Sequence, residues 1–233
     1  MHENPLLPNA KLKELYALMQ RARDLSKAPA SAPRFEAILC ATLMHIEPGD
    51  YISPPPNAPA AALLATERTT APRKKPEPTP TLPPTQRLST AAGIAQGLKL
   101  ANPGRFAVVY TDAGSSETGW QEALTYAIAA RLPLILVIAS VETRRAANPK
   151  FLTWPSLSKL AKKIDLPVLT VDGTDAVAVY RVMQESAHRA RLGDGIAVIW
   201  CALPAKNSLA TDPLRNMKSY LAARNLLPAS NKN

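Results

Sequence analysis

From about residue 86 onward, short apolar runs alternate with stretches whose apolar residues recur at three and four, and this alternation restricts the fold more than any other feature. Phe106 to Thr111, Leu134 to Ala139, Pro167 to Val171 and Ile196 to Cys201 read as four strands, too continuously apolar for a sheet with one wet face. Trp120 to Arg131, Ser156 to Ile164 and Ala176 to Arg191 read as the helices between them. A further helix over Leu88 to Leu100 carries Ala91, Ala92, Gly93, Ala95 and Gly97, small residues that permit close approach to a neighbouring element. Thr211-Asp212-Pro213 starts a last helix through about Ala223. Such strand-helix-strand units predict an α/β fold, a parallel sheet with helices on both faces. Ligands of such sheets lie beyond the carboxyl ends of the strands, so a site belongs after Tyr110 and after Ile138.

The first part of the chain is different. Apolar residues Leu12, Leu15, Tyr16, Leu18, Met19 and Ala22 predict an amphipathic helix over Asn9 to Leu25, and a second helix fits Ala32 to His45. Ten of the 23 prolines then fall between Ser53 and Pro84, with the basic run Arg73-Lys74-Lys75, a composition that packs little and reads as a stiff, extended tether. The expected organisation is an N-terminal helical segment at 1–52, a Pro-rich linker at 53–84, the α/β domain at 85–227 and a tail at 228–233.

Twenty-eight Lys and Arg against 18 Asp and Glu give a formal charge of +10, a bias toward acidic partners. The basic residues are spread along the chain and aromatics make up only 5%, which argues against nucleic acid as the partner. Cys40 and Cys201 sit in apolar patterns, as core residues rather than a disulfide or zinc set. The opening residues lack a basic-then-apolar signal, and no apolar run approaches the ~20 residues of a membrane helix, so the expectation is a cytoplasmic protein.

The loop Thr111-Asp112-Ala113-Gly114-Ser115-Ser116-Glu117-Thr118-Gly119 follows the first strand and leads into a helix. Its carboxylate suits a divalent cation and its backbone amides suit an anion, together the needs of a metal-bound diphosphate. Asp, Ser and Gly are equally ordinary turn and cap residues, and both readings stand on these residues alone.

Several motifs in order carry a resemblance. They are Ala91-Ala92-Gly93-Ile94-Ala95, Arg105 to Leu124, and Arg131-Leu132-Pro133 before a strand. Val171-Asp172-Gly173-Thr174-Asp175 and Asp212-Pro213-Leu214 with Tyr220-Leu221 follow. The stretch from about 86 to 225 resembles the alpha subunit of the decarboxylating dehydrogenase component of 2-oxo acid (pyruvate or branched-chain) dehydrogenase complexes, and residues 9–52 do so weakly. The resemblance implies a thiamine diphosphate-binding fold, thiamine diphosphate and magnesium as cofactors, and a beta-type dehydrogenase subunit or a second copy of this chain as partner. It implies Asp112 as a magnesium ligand with the Thr143 carbonyl as another, and the Ala113-Gly114 backbone against the diphosphate.

The same resemblance exposes departures. The family's GDG reads Thr111-Asp112-Ala113, and the asparagine that ligates the metal falls at Val141, the second residue of Ser140-Val141. Valine offers no lone pair to a cation that demands near-octahedral oxygen. The family's Tyr-Arg loop after Asp50 is replaced by Tyr51-Ile52-Ser53 and prolines, and the histidine loop before the last helix is shortened to Ala202 through Ala210. Of the three histidines, His2 is terminal, while His45 and His188 fall in helical patterns as surface or helix-packing residues. Glu122 matches an acidic family position, read here as a buried or interface hydrogen bond. Asp172 and Asp175 read as turn and cap residues, and Arg144-Arg145 as a solvated pair. Two functions follow from the resemblance: a non-catalytic or regulatory subunit with a weakened cofactor site, or an active subunit in the oxidative decarboxylation of a 2-oxo acid, an oxidoreductase with a disulfide acceptor.

Overall fold

The computed structural model describes residues 7–26, 32, 34–55, 64, 67, 84–113, 119–141, 152–206 and 208–227. Their elements are α1 (Asn9–Leu25), α2 (Glu36–Leu43), β1 (Tyr51–Ser53), α3 (Pro84–Ala101), β2 (Ala107–Asp112) and α4 (Trp120–Ala129). After these come β3 (Leu134–Val141), α5 (Trp154–Ile164), β4 (Val168–Asp172), α6 (Ala176–Leu192), β5 (Ala197–Leu203) and α7 (Pro213–Ala223). The strands form one sheet in the order β1-β2-β3-β5-β4, parallel at every pairing. The α/β fold read from the alternation is therefore the observed one.

Period-two alternation sorts the central strands into two cores. Phe106, Val108, Tyr110, Ile135, Val137, Ala139, Ile199 and Cys201 face a layer built from α1, α2, α6 and α7. Ala107, Val109, Leu134, Leu136, Ile138, Val198 and Trp200 face α3, α4 and α5. Chain direction explains the division. The sheet grows outward from β1 to β3 and on to β4, then turns back to insert β5, so right-handed crossovers place α6 on the opposite face from α3, α4 and α5. The chain leaves β3 toward one face and its neighbour β5 toward the other, making the carboxyl ends of β3 and β5 the topological switch point.

Local chemistry sets the helix ends. Asp175 Oδ1 accepts from the amides of Val177 and Ala178 at 2.9 and 3.0 Å, and Gly193 closes α6 in the left-handed region. Asp212 Oδ1 accepts from Arg215 N at 2.9 Å, with Pro213 in the first turn of α7. Two ion-pair networks tie the layers. Arg23 joins Glu36 and, at 2.9 Å, Asp212, connecting α1, α2 and α7. At the amino end of the sheet Arg191 grips Asp50 at 2.7 and 3.1 Å and donates to the carbonyls of Gly104 and His45. Asp50 also accepts from the amides of Phe106 and Glu47, so a buried carboxylate holds the starts of β1 and β2 to the end of α6.

Some boundaries depart from the sequence expectation. The second helix is Glu36–Leu43 rather than Ala32 to His45: Ala32 precedes Pro33, which disfavours the helical region, and the chain turns before Pro48. Tyr51–Ser53 is a fifth strand, three residues long and too short to leave a periodic signal. The small-residue helix starts earlier, at Pro84. β3 and β5 extend two residues further, to Val141 and Leu203. Within the proline-rich stretch, Leu64 is buried in the first core, so at that position the expectation of little packing does not hold, while the exposed Glu67 binds Arg21 at 2.8 and 2.6 Å. Among the described residues no helix is long and apolar enough to cross a membrane.

Candidate functional site

β2 delivers Asp112 to the carboxyl edge of the sheet, in register with Ala139 of β3. The ladder continues one residue beyond, where the amide of Ala113 donates to the Ala139 carbonyl at 2.8 Å. That amide is used within the sheet, and an amide donates one hydrogen bond well. Tyr110, Ala139 and Val141 contact the first core, so alternation places Asp112 and residue 141 on the same side of the sheet. A second side-chain oxygen beside Asp112 would come from position 141. It is a valine, partly buried against that core, and Ser140 before it faces the opposite side.

Next to Val141, at the switch point, lies Leu203. The turn after β4 closes over the end of β5: Gly173 N donates to the Ala202 carbonyl at 2.8 Å, and a Cβ on Gly173 would stand 3.0 Å from both Ile38 Cδ1 and Leu203 Cδ2. Asp172 is engaged locally, its Oδ1 accepting from the amide and hydroxyl of Thr174 at 2.8 Å each, and Asp175 caps α6. The turn and cap roles expected of these two aspartates are the observed ones.

One residue that sequence reasoning passed over dominates the other end of this edge. Arg87, in the first turn of α3, is only 5% exposed. Its Nε and Nη2 donate to Ser53 Oγ at 3.2 and 2.9 Å, and Nη2 also donates to the Pro54 carbonyl. Burial of Ser53 and Arg87 joins α3 to β1 just beyond β2. Although Asp112 is exposed as a residue, partial dehydration lifts its carboxyl above the ordinary carboxylate range, and the positive charge of Arg87 pulls it back. The signal that could have found Arg87 is its place: an arginine in the opening turn of a helix that enters at the carboxyl edge of the sheet.

Gly114, Thr143, Arg144 and Arg145 lie outside the described residues. Glu122 is exposed on the first turn of α4 rather than buried, where a carboxylate favours the helix dipole. His45 is half-buried against the Tyr180 ring, centroids 4.2 Å apart, and His188 is exposed on α6. Both cysteines are buried, and loss of hydration pushes the Cys201 thiol up to about 12, so it is no nucleophile near neutrality. Among the described residues no group of three His, Cys, Asp or Glu is placed to hold a metal. For a magnesium ion bridging to a diphosphate, the described side chains of this edge supply one carboxylate, one buried guanidinium and an apolar wall, which is not an octahedral oxygen set.

Residues 81–202 match the dehydrogenase E1 component family. The chain is 36% identical over 113 residues to the pyruvate dehydrogenase E1 component subunit alpha of Staphylococcus epidermidis, covering 46% of this chain and 30% of that protein. The Staphylococcus aureus subunit of the same description is 35% identical over 114 residues, covering 47% of this chain and 30% of its own length. The match thus spans under a third of these relatives. Among solved structures, benzoylformate decarboxylase from Polynucleobacter necessarius superposes over 75% of this chain and 34% of its own, with a TM-score of 0.52 and 16% identity. At that identity the likeness concerns the α/β fold alone.

Proposed function

The chain belongs to the dehydrogenase E1 component family, and from that premise we propose that it is a divergent alpha-type subunit that assembles with a beta-type subunit without itself holding a catalytic cofactor. The single observation that carries this reading is the composition of the edge around Asp112. Position 141, on the same side as Asp112, is a valine packed into the core, and the adjoining Ala113 amide is already paired. Thiamine diphosphate, when bound, supplies the carbanion chemistry for a 2-oxo acid, and the protein's task is to bind and orient it. Among the described residues no second ligand joins Asp112, and one carboxylate does not satisfy a metal that demands six oxygens. What remains intact is the scaffold: the parallel sheet, both cores and the capped helices around the switch point.

A subunit of this kind supports its complex through contacts rather than turnover. Retention of Asp112 at the end of β2 favours a second reading, in which a beta-type partner completes the site and the pair decarboxylates pyruvate or a branched-chain 2-oxo acid. Co-expression with beta-type subunits separates the two. The first reading expects a stable complex that does not reduce an artificial electron acceptor when given a 2-oxo acid with thiamine diphosphate and magnesium. Turnover that disappears with Asp112→Asn would replace it with the second.

A further inference from the structure

The two edges of the sheet are built differently. β1 is three residues long and runs straight into Pro54 and Pro55, which offer no amide to a further strand. β4, at the other edge, runs five residues as Val168-Leu169-Thr170-Val171-Asp172, with no proline, glycine or lysine inside it. The Val198 amide donates to the Pro167 carbonyl and the Gly173 amide to the Ala202 carbonyl, so in this parallel ladder the odd-numbered positions of β4 bond to β5. The N–H and C=O groups of Val168 and Thr170 therefore point outward, and among the described residues nothing pairs with them. Thr170 is exposed. An edge left open in this way is a template for another strand.

Thr170 stands in register with Trp200, on the face covered by α5, and Trp154 meets the Trp200 ring edge-on with centroids 5.2 Å apart. Trp154 is 41% exposed, a large apolar surface left in water on that face. Charge selects the direction of an incoming strand. The chain enters β4 past exposed Lys162, Lys163 and Asp165 and leaves it at exposed Asp172 and Asp175. An antiparallel neighbour of the same sequence sets the basic entry against the acidic exit, whereas a parallel one stacks like against like.

We propose that β4 is a self-association edge: a second copy of this chain lays its own β4 antiparallel against it across a twofold axis at Thr170, so that one sheet runs through both molecules. At the axis the two Thr170 residues exchange backbone hydrogen bonds, and the Val168 carbonyl accepts from the Asp172 amide of the second copy. The same residues serve on both sides, as a twofold contact requires. The proposal goes beyond the subunit reading and does not depend on it.

The test is sedimentation equilibrium of the full chain alone, with no beta-type subunit and no cofactor. Wild type is expected to dimerise with a midpoint below about 100 µM, a modest affinity in keeping with a short edge. Thr170→Lys and Thr170→Glu each place like charges opposite one another at the axis, and each alone should weaken the dimer at least about tenfold. An equimolar mixture of the two variants should restore it, because Lys then faces Glu. Thr170→Pro is the second variant: it removes an amide that β5 does not use, so it should weaken the dimer while thermal melting shows the fold kept. A wild type that stays monomeric through that concentration range overturns the proposal. So does a dimer that folded Thr170→Lys and Thr170→Glu leave unchanged, or one that their mixture fails to restore. Association with a beta-type subunit is read only in the co-expression experiment, so failure of the subunit reading and failure of the self-association edge are told apart.

Discussion

Substituting Gly173 by alanine tests how tightly the switch point is closed. A Cβ there would lie 2.9 Å from the Ala202 carbonyl oxygen and 3.0 Å from Ile38 Cδ1 and Leu203 Cδ2. The side chains of Ile38 and Leu203 can yield by rotation, but the carbonyl is backbone, and the Gly173 amide already donates to it at 2.8 Å. Backing away costs that hydrogen bond; staying costs a clash. Overpacking of a well-filled site costs ~1–3 kcal/mol, and restricting the unfolded chain returns ~0.4–1 kcal/mol, leaving a net loss of about 1–2 kcal/mol. For a chain of this size each kcal/mol moves Tm by roughly 2–4 °C, so Gly173→Ala should melt about 4 °C below wild type in a calorimetric scan. Gly97→Ala is the matched control. Nothing lies within 4 Å of its added Cβ, and alanine gains roughly 0.8–1 kcal/mol over glycine within a helix, so this variant should melt higher. A Gly173→Ala protein that melts at or above wild type would refute the reasoning, because it would mean that the turn over Ala202 and Leu203 has room to spare.

Removing Arg191 by Arg191→Met leaves the Asp50 carboxylate, whose side chain is 0% exposed, without its cation; the urea midpoint should fall by the equivalent of about 3–5 kcal/mol, and a loss below about 1 kcal/mol would contradict the hub role. His45 is held neutral: burial is the main cause of its pKa falling to about 4, opposed by a hydrogen bond with the Tyr180 backbone and aided by the charges of Arg191 and Lys11. Since the unfolded chain takes up that proton near pH 6.5 and the folded chain only near 4, His45 costs stability progressively as pH falls between those values, approaching ~3 kcal/mol below both. His45→Gln should remove this component from the difference between urea curves at pH 7 and pH 4, and an unchanged difference would show that the imidazole does not stay neutral in the fold.

The three inner strands were legible because they are continuous apolar runs, and buried parallel strands carry that signature whatever their neighbours do. Strand order was less legible. Insertion of β5 between β3 and β4 depends on which way the chain turns after β4, and nothing in Val168–Asp172 records that choice. β1 escaped notice because three residues hold too little pattern, yet its partner Ala107 and the Asp50 hub make it an integral edge. Cap positions such as Asp175 and Asp212 were readable, since their chemistry acts within a few residues. Arg87 was readable only by its place in the opening turn of a helix, because its partners Ser53 and Pro54 lie more than thirty positions away in sequence. The same holds for Val141: its identity was plain in the sequence, whereas its orientation, on the side of Asp112 and into the core, needed the register of β2 and β3.

The most direct measurement is a calorimetric titration with thiamine diphosphate, with and without magnesium, of the full chain alone and of its complex with a co-expressed beta-type subunit. The account predicts no magnesium-dependent heat of binding in either preparation. Tight binding that requires magnesium and is lost in Asp112→Asn would contradict it, and would mean that other residues complete the metal site that Val141 leaves open.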